Sequence, residues 1–257
     1  MSLRADRREW NDLAREDGMW AVYSDPQRRG TWTVEEFLAT GEAEIASVMV
    51  GLEARDAMPR LGRALDFGCG LGRLTRALAG RFDEVTGVDA SKAMIAEAEH
   101  LNAGATNCRF VLNEQPVLAA LPTESYDFVL SLITLQHVSS RVAIRRYIRE
   151  FVRVAAPGGI IVFQLPTSVG WQIRLHPLRL CNRALRAVPV APRWALRSVM
   201  SHSMRVMALP ESEVRSILTS CGAEIVDVVA DNRTGTAAAP SRTYVARRPA
   251  ARSSRGQ

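Results

Sequence analysis

The chain has 257 residues, 47% hydrophobic and 23% charged, with 33 Lys and Arg against 27 Asp and Glu for a formal net charge of +6. This is the composition of an ordinary folded domain with enough length for a full core, and it excludes collagen-like, low-complexity and wholly disordered classes. No run approaches the roughly 18 apolar residues of a membrane-spanning helix. The opening decapeptide MSLRADRREW is charged and has no apolar segment of signal-peptide kind, so a cytoplasmic protein is expected. Cys69, Cys108, Cys181 and Cys221 are far apart, with no CxxC and no paired histidines at metal spacing. They are expected to be free thiols in a reducing compartment, with no metal.

Residues 1–60 are predicted to form a helical cap. Thr33-x-x-Glu36 has the spacing of a capping box, in which each side chain satisfies the other's backbone N–H. Phe37, Ile45, Val48, Met49 and Leu52 follow at helical spacing, which predicts a helix over about 34–57. Before it lies an aromatic cluster, Trp10, Trp20, Tyr23 and Trp32, with a turn at Asp25-Pro26. Two uses fit the cluster: a staple that fastens the extension to the core, or a lid in which Trp20 and Tyr23 cover a bound ligand and exclude water.

The segment RALDFGCGLGRLTRALAGRFDEVTGVDAS, residues 63–91, carries most of the functional signal. Ala64, Leu65 and Phe67 make a buried strand that breaks at Gly68, Gly70 and Gly72, where positive φ and close approach of a ligand are open to the backbone. A helix with Leu74 and Leu78 inside runs to Gly80, and a second strand, Val85 to Val88, ends in Asp89. Strand, glycine turn, helix, strand and terminal acid make a nucleotide-binding βαβ unit. A dinucleotide fingerprint would need glycine at position 73, which is arginine, and no P-loop lysine follows, since Lys92 is the only lysine in the chain. The spacing Asp66-x-Gly68-x-Gly70-x-Gly72 with Asp89 beyond resembles motif I and the following acidic motif of class I S-adenosylmethionine-dependent methyltransferases.

Ser91 is the expected N-cap of a helix that turns Met94, Ile95 and Ala98 inward. Arg109–Leu112 is predicted as a third strand, and YDFVLSL, residues 126–132, as a fourth, followed by Gln136-His137. A helix over about 140–155 carries Ile144, Ile148, Phe151 and Val152 on one face. Arg141, Arg145, Arg149 and Arg153 recur on the other as a solvated face or, alternatively, a phosphate grip. Pro157-Gly158-Gly159 is expected to stop that helix and start a fifth strand, Ile160–Leu165. Residues 166–206 are an Arg-rich insertion with Trp171, His176 and Trp194, open to three uses: a substrate lid, a dimer contact, or a basic patch resting on lipid. Pro210 opens a helix to Leu218 with Gly222 as cap, strands follow at 224–229 and 243–246, and residues 249–257 form a basic tail expected to be disordered.

The resemblance covers about residues 60–165 and 207–248. It implies a Rossmann-like α/β fold, a seven-stranded mostly parallel sheet with helices on both faces, and S-adenosylmethionine as cofactor, with S-adenosylhomocysteine as product. Onto matching positions it carries Gly68, Gly70 and Gly72 with Cys69, Arg73 and Leu74 as the wall beside methionine and ribose. Asp66 would orient the amino-acid end, and Asp89, flanked by Ala90 and Ser91, would accept the ribose hydroxyls. Met94 would pack on adenine, either Asn113 or Glu114 would read its amine, and Ser131 would border the site from motif IV. His137 is a candidate general base, its ordinary pKa near neutrality suiting proton removal, although a structural role fits it as well. The acceptor is expected to be a small molecule, the chain a monomer or homodimer. A nucleic-acid acceptor is disfavoured, because motif IV reads SLIT and no basic and aromatic interleaving appears. A non-catalytic scaffold has no need of the whole glycine and aspartate set.

Overall fold

A computed structural model describes residues 3–25, 27–171 and 206–250. Residues 172–205 of the insertion expected over 166–206, with His176, Cys181 and Trp194, and residues 251–257 of the expected tail lie outside the described residues.

Strands with almost no polar side chains have to be covered on both faces, and that requirement fixes the architecture. β1 (Arg63–Phe67) and β4 (Tyr126–Ser131) are buried along nearly their whole length and form the centre of the sheet. β2 (Glu84–Asp89) and β3 (Cys108–Leu112) extend it on one side. On the other lie β5 (Ala155–Pro166), β6 (Glu224–Asp231) and β7 (Ser241–Arg247), giving seven strands in the order β3-β2-β1-β4-β5-β7-β6. β7 pairs antiparallel with both neighbours, and the other strand pairs are parallel. The order reverses between β1 and β4, so their carboxyl ends open a crevice of the kind in which α/β proteins bind ligands.

Helices α3 (Arg73–Ala79), α4 (Lys92–Leu101), α5 (Arg141–Val154) and α6 (Glu211–Ser220) cover the faces. α5 and α6 enclose one apolar layer in which Phe67 meets Phe151 at 5.1 Å and Phe163 stacks on Tyr244 at 5.0 Å between ring centroids. On α5 the arginine stripe faces solvent, with Arg145 paired to Glu213 and Arg153 to Glu150. The opposite layer packs Leu74 and Leu78 of α3 against Ile45, Met49 and Leu52 of α2 (Val34–Glu53). The capping box of α2 is present, with Glu36 N–H donating to Thr33 Oγ1. α2 stops short of the expected 57, because the chain folds back at Asp56, where φ is +51°, and Ala57 N–H returns to Leu52 O. α1 (Leu3–Val22) lies on α4 through Leu13, Leu71 and Met94, and it is kinked at Asp17.

Pro157-Gly158-Gly159 behaves differently from expectation. α5 ends at Val154, and β5 begins immediately at Ala155, which pairs with Tyr126. The register then slips, Phe128 facing Ile160, and the three residues form an irregularity inside the strand with Gly158 at φ +81°. The last two strands are each longer than predicted. No helix among the described residues is long and apolar enough to cross a membrane.

Candidate functional site

The turn from β1 into α3 is the floor of the site. Gly68 and Cys69 both donate their N–H to Val88 O, at 2.7 and 3.0 Å, which folds the turn against β2. Gly68 (φ +79°) and Gly70 (φ +54°) admit no side chain: a Cβ on Gly68 would stand 2.1 Å from Thr134 Cγ2, and one on Gly70 2.5 Å from Val22 Cγ2. Gly70 N–H points at the end of β2 and donates to Asp89 Oδ2 at 3.0 Å, while Ser91 N–H donates to Oδ1 at 2.8 Å. Asp89 is thereby fixed between the glycine turn and the first turn of α4, which Ser91 caps by accepting from Met94 N–H. Burial raises the Asp89 pKa against these donors.

One cavity of about 630 Å³ opens over this floor. Its volume lies in the range of ligand sites, and its walls bring together much of the set singled out from sequence. Gly68, Cys69, Gly70, Arg73 and Leu74 line it from the turn, and Asp89, Ala90 and Met94 from β2 and α4. Asn113 and Glu114 both reach it from the end of β3, Tyr23 from the cap, and His137 from the 3-10 turn Leu135–His137 after β4. The choice between Asn113 and Glu114 stays open, although the Glu114 carboxylate is engaged, 3.4 Å from Arg7 Nε.

Four of the expected residues stand behind the wall. Asp66 is buried and accepts from Thr75 Oγ1 at 2.7 Å, and its pKa is pushed up to about 6, chiefly by burial. Gly72 serves the turn, with φ +81°, and Ser91 serves the cap. Ser131 is buried on β4, its Oγ without a partner among the described residues. Trp20 also departs from the lid expectation. Its ring is buried beneath the Arg29 guanidinium (4.7 Å to the centroid) and its Nε1–H donates to Asp25 O at 3.0 Å, so it props the loop that carries Tyr23.

The sequence reading missed residues brought in from outside the βαβ unit. Asp6, Arg7 and Trp10 enter from α1, Tyr147 from α5, and Arg233 to Gly235 from the loop between β6 and β7. Amphipathic spacing on α1 is too interrupted to announce that face, and the loop residues have no local motif. Ile133, also in the wall, holds φ at +59°, a left-handed conformation that a β-branched residue adopts only when its surroundings impose it. His137 meets Trp10 edge to face at 5.5 Å. Its Nε2 lies 3.1 Å from Gln136 Nε2, while Gln136 Oε1 accepts from Gln164 at 3.3 Å. His137 Nε2 is thus engaged by the Gln136 side-chain amide, within the protein.

Comparison with known proteins points the same way. Residues 65–163 match the sequence profile of a methyltransferase domain family. The chain is 30% identical over 177 residues to trans-aconitate 2-methyltransferase of Variovorax paradoxus, covering 68% of this chain and 62% of that enzyme. It thus spans less than two thirds of that relative. Magnesium protoporphyrin IX methyltransferase of Synechocystis, solved with S-adenosylhomocysteine bound, shares the fold with a TM-score of 0.62 at 21% identity, over 96% of this chain and 99% of that one. The [4+2]-cyclase SpnF shares it at 0.55 and 16% identity, over 80% and 81%.

Proposed function

We propose that the chain is a class I S-adenosylmethionine-dependent methyltransferase, which transfers a methyl group from S-adenosylmethionine to an O, N or C nucleophile of a small molecule. The observation that carries the reading is the Asp89 carboxylate, fixed by Gly70 and Ser91 N–H and lining a cavity floored by glycines with no room for a Cβ. A strand-end acid beside a close-approach turn suits a nucleoside whose ribose hydroxyls need an acceptor. The cavity volume suits that nucleoside together with a small acceptor.

When bound, the cofactor supplies a methyl on a sulfonium, already equipped with its leaving group. The residues of this chain then have to bind, orient and exclude water. Asp89 would hold the ribose, Asn113 or Glu114 the adenine edge, and Met94 the adenine face. Tyr23 and the α1 face with Trp10 would close the top. Trp10, Gln136, His137 and Tyr147 would form the acceptor end. The relative named for trans-aconitate supports a small carboxylic acid as the acceptor class. A cytoplasmic setting belongs to the same reading, supported by the free thiols Cys69, Cys108 and Cys221.

The test is to incubate the protein with methyl-labelled S-adenosylmethionine and a panel of small acids headed by trans-aconitate, then to measure S-adenosylhomocysteine and labelled product. Equimolar appearance of both is expected for at least one acid. Cofactor binding with no turnover across acids, phenols and amines would instead favour a non-transfer use of the fold.

A further inference from the structure

One side chain in the core of the sheet breaks the rule of its surroundings. Every residue of β5 from Gly159 to Pro166 is buried, and all but one of the side chains in Ile160–Leu165 are apolar. The exception is Gln164, fully buried on the face it shares with Ile160 and Val162. A primary amide offers two donors and a carbonyl with two lone pairs. Among the described residues Gln164 makes a single side-chain hydrogen bond, Nε2 donating to Gln136 Oε1 at 3.3 Å, and its own Oε1 has no partner. Burying a polar group unsatisfied costs about 1–3 kcal/mol, which methionine or leucine at the same place would not incur. Core positions that break the local rule in this way are where function is expected.

Gln164 is not part of the cavity wall, but its partner is. Gln136 stands in the wall on the turn Leu135–His137, and its Nε2 lies 3.1 Å from His137 Nε2. Core amide, wall amide and imidazole therefore form one chain. Turning both amides over together reverses donors and acceptors along it and keeps both links. The orientation of Gln164 and the choice of His137 nitrogen that carries the proton are thus coupled. The loop that carries this turn leaves β4 through Ile133, strained at φ +59°, and Gln136 O accepts from Met207 N–H at 2.7 Å. We infer that Gln164 is a positioning residue for the acceptor end: through Gln136 it fixes the tautomer and the place of the His137 ring, which meets Trp10 at 5.5 Å. Only the assignment of that end to the acceptor rests on the methyltransferase reading; the chain of amides does not. A wall so fixed keeps an acceptor in line for attack, where misplacement by about 1 Å costs on the order of a hundredfold in rate.

The experiment compares wild type with Gln164→Met, Gln136→Met and the double variant, Gln164→Leu standing in should Gln164→Met fail to fold. NMR of nitrogen-labelled histidine reads the His137 tautomer, its signals assigned by their loss in His137→Gln. Wild type shows a single tautomer. Gln164→Met leaves Gln136 free to turn over, so both tautomers appear and the His137 signals shift, while the melting midpoint holds. In the Gln136→Met background the same substitution changes nothing further, as expected of a residue that acts through Gln136. With an acid that wild type methylates, Gln164→Met loses about tenfold or more in kcat and keeps its affinity for S-adenosylhomocysteine. Two tautomers in wild type, unchanged His137 signals in Gln164→Met, or shifted signals with unchanged kcat overturn the inference. So do effects of Gln164→Met that are equal with and without Gln136. A lowered midpoint together with weakened cofactor binding would mark Gln164 as structural. If no acid, phenol or amine is methylated, the methyltransferase reading fails, and the His137 signals decide the role of Gln164 by themselves.

Discussion

Asp66 is a buried acid and Asp89 a half-buried one at the ends of neighbouring strands, and their partners separate them. Asp89 accepts backbone N–H groups and faces the cavity, whereas Asp66 has the Thr75 hydroxyl and is pushed up to about 6. Between the ordinary carboxylate value and about 6, the unfolded chain has lost a proton that the folded chain keeps. Stability therefore falls as pH rises through that window, and the full cost, at most about 3 kcal/mol, is present above it. Asp66→Asn keeps an acceptor for Thr75 and should melt several degrees above wild type at pH 7.5, with the gap closing near pH 4. A mutant less stable at both values would show that the ionised carboxylate has a partner of its own. At this scale the glycines and Asp89 were legible because their spacing states a backbone requirement. Gln164 was legible only as part of a strand, since its link to Gln136 depends on where the loop after β4 lies.

α1 is the element that closes the site. Asn11 Oδ1 accepts from Ser91 Oγ and Ala93 N–H, each at 2.9 Å, Arg7 Nη1 donates to Glu114 O at 2.7 Å, and Asp6 accepts from Ser139 N–H at 3.0 Å. The helix thus ties the loops after β2, β3 and β4 together over the cavity. At its kink Asp17 accepts from Trp20 N–H and Gly30 N–H, restarting the helix there. Asn11→Leu removes two of these ties at a cost of roughly 1–3 kcal/mol, because two donors lose their acceptor. It should speed S-adenosylhomocysteine release several-fold in stopped-flow and raise amide exchange across residues 3–16. Unchanged release would mean that ligand exit does not pass under α1. The strands were legible because burial on both faces leaves a plain apolar run. The Pro157-Gly158-Gly159 segment was misread as a stop because its role as an irregularity is set by pairing with β4, which local spacing does not encode.

For the whole molecule, sheet order places the crevice and the two chain-terminal strands bring the Arg233 loop to it. The excess of six positive charges is spread over faces whose arginines are partly paired, as Arg145 and Arg153 are, so net charge said little about the ligand. Ligand binding to the folded state alone should stabilise it by about 2.7 kcal/mol at 100 times the dissociation constant, which for a chain of this size raises the melting midpoint by roughly 5–10 °C. The most direct measurement is a calorimetric titration of wild type and Asp89→Ala with S-adenosylmethionine and S-adenosylhomocysteine. Binding by wild type that falls at least about a hundredfold in the mutant is the expected result, the loss of two hydrogen bonds to a charged acceptor. Equal affinity in both proteins would contradict the placement of the ribose at Asp89, and no binding to wild type would contradict the cofactor itself.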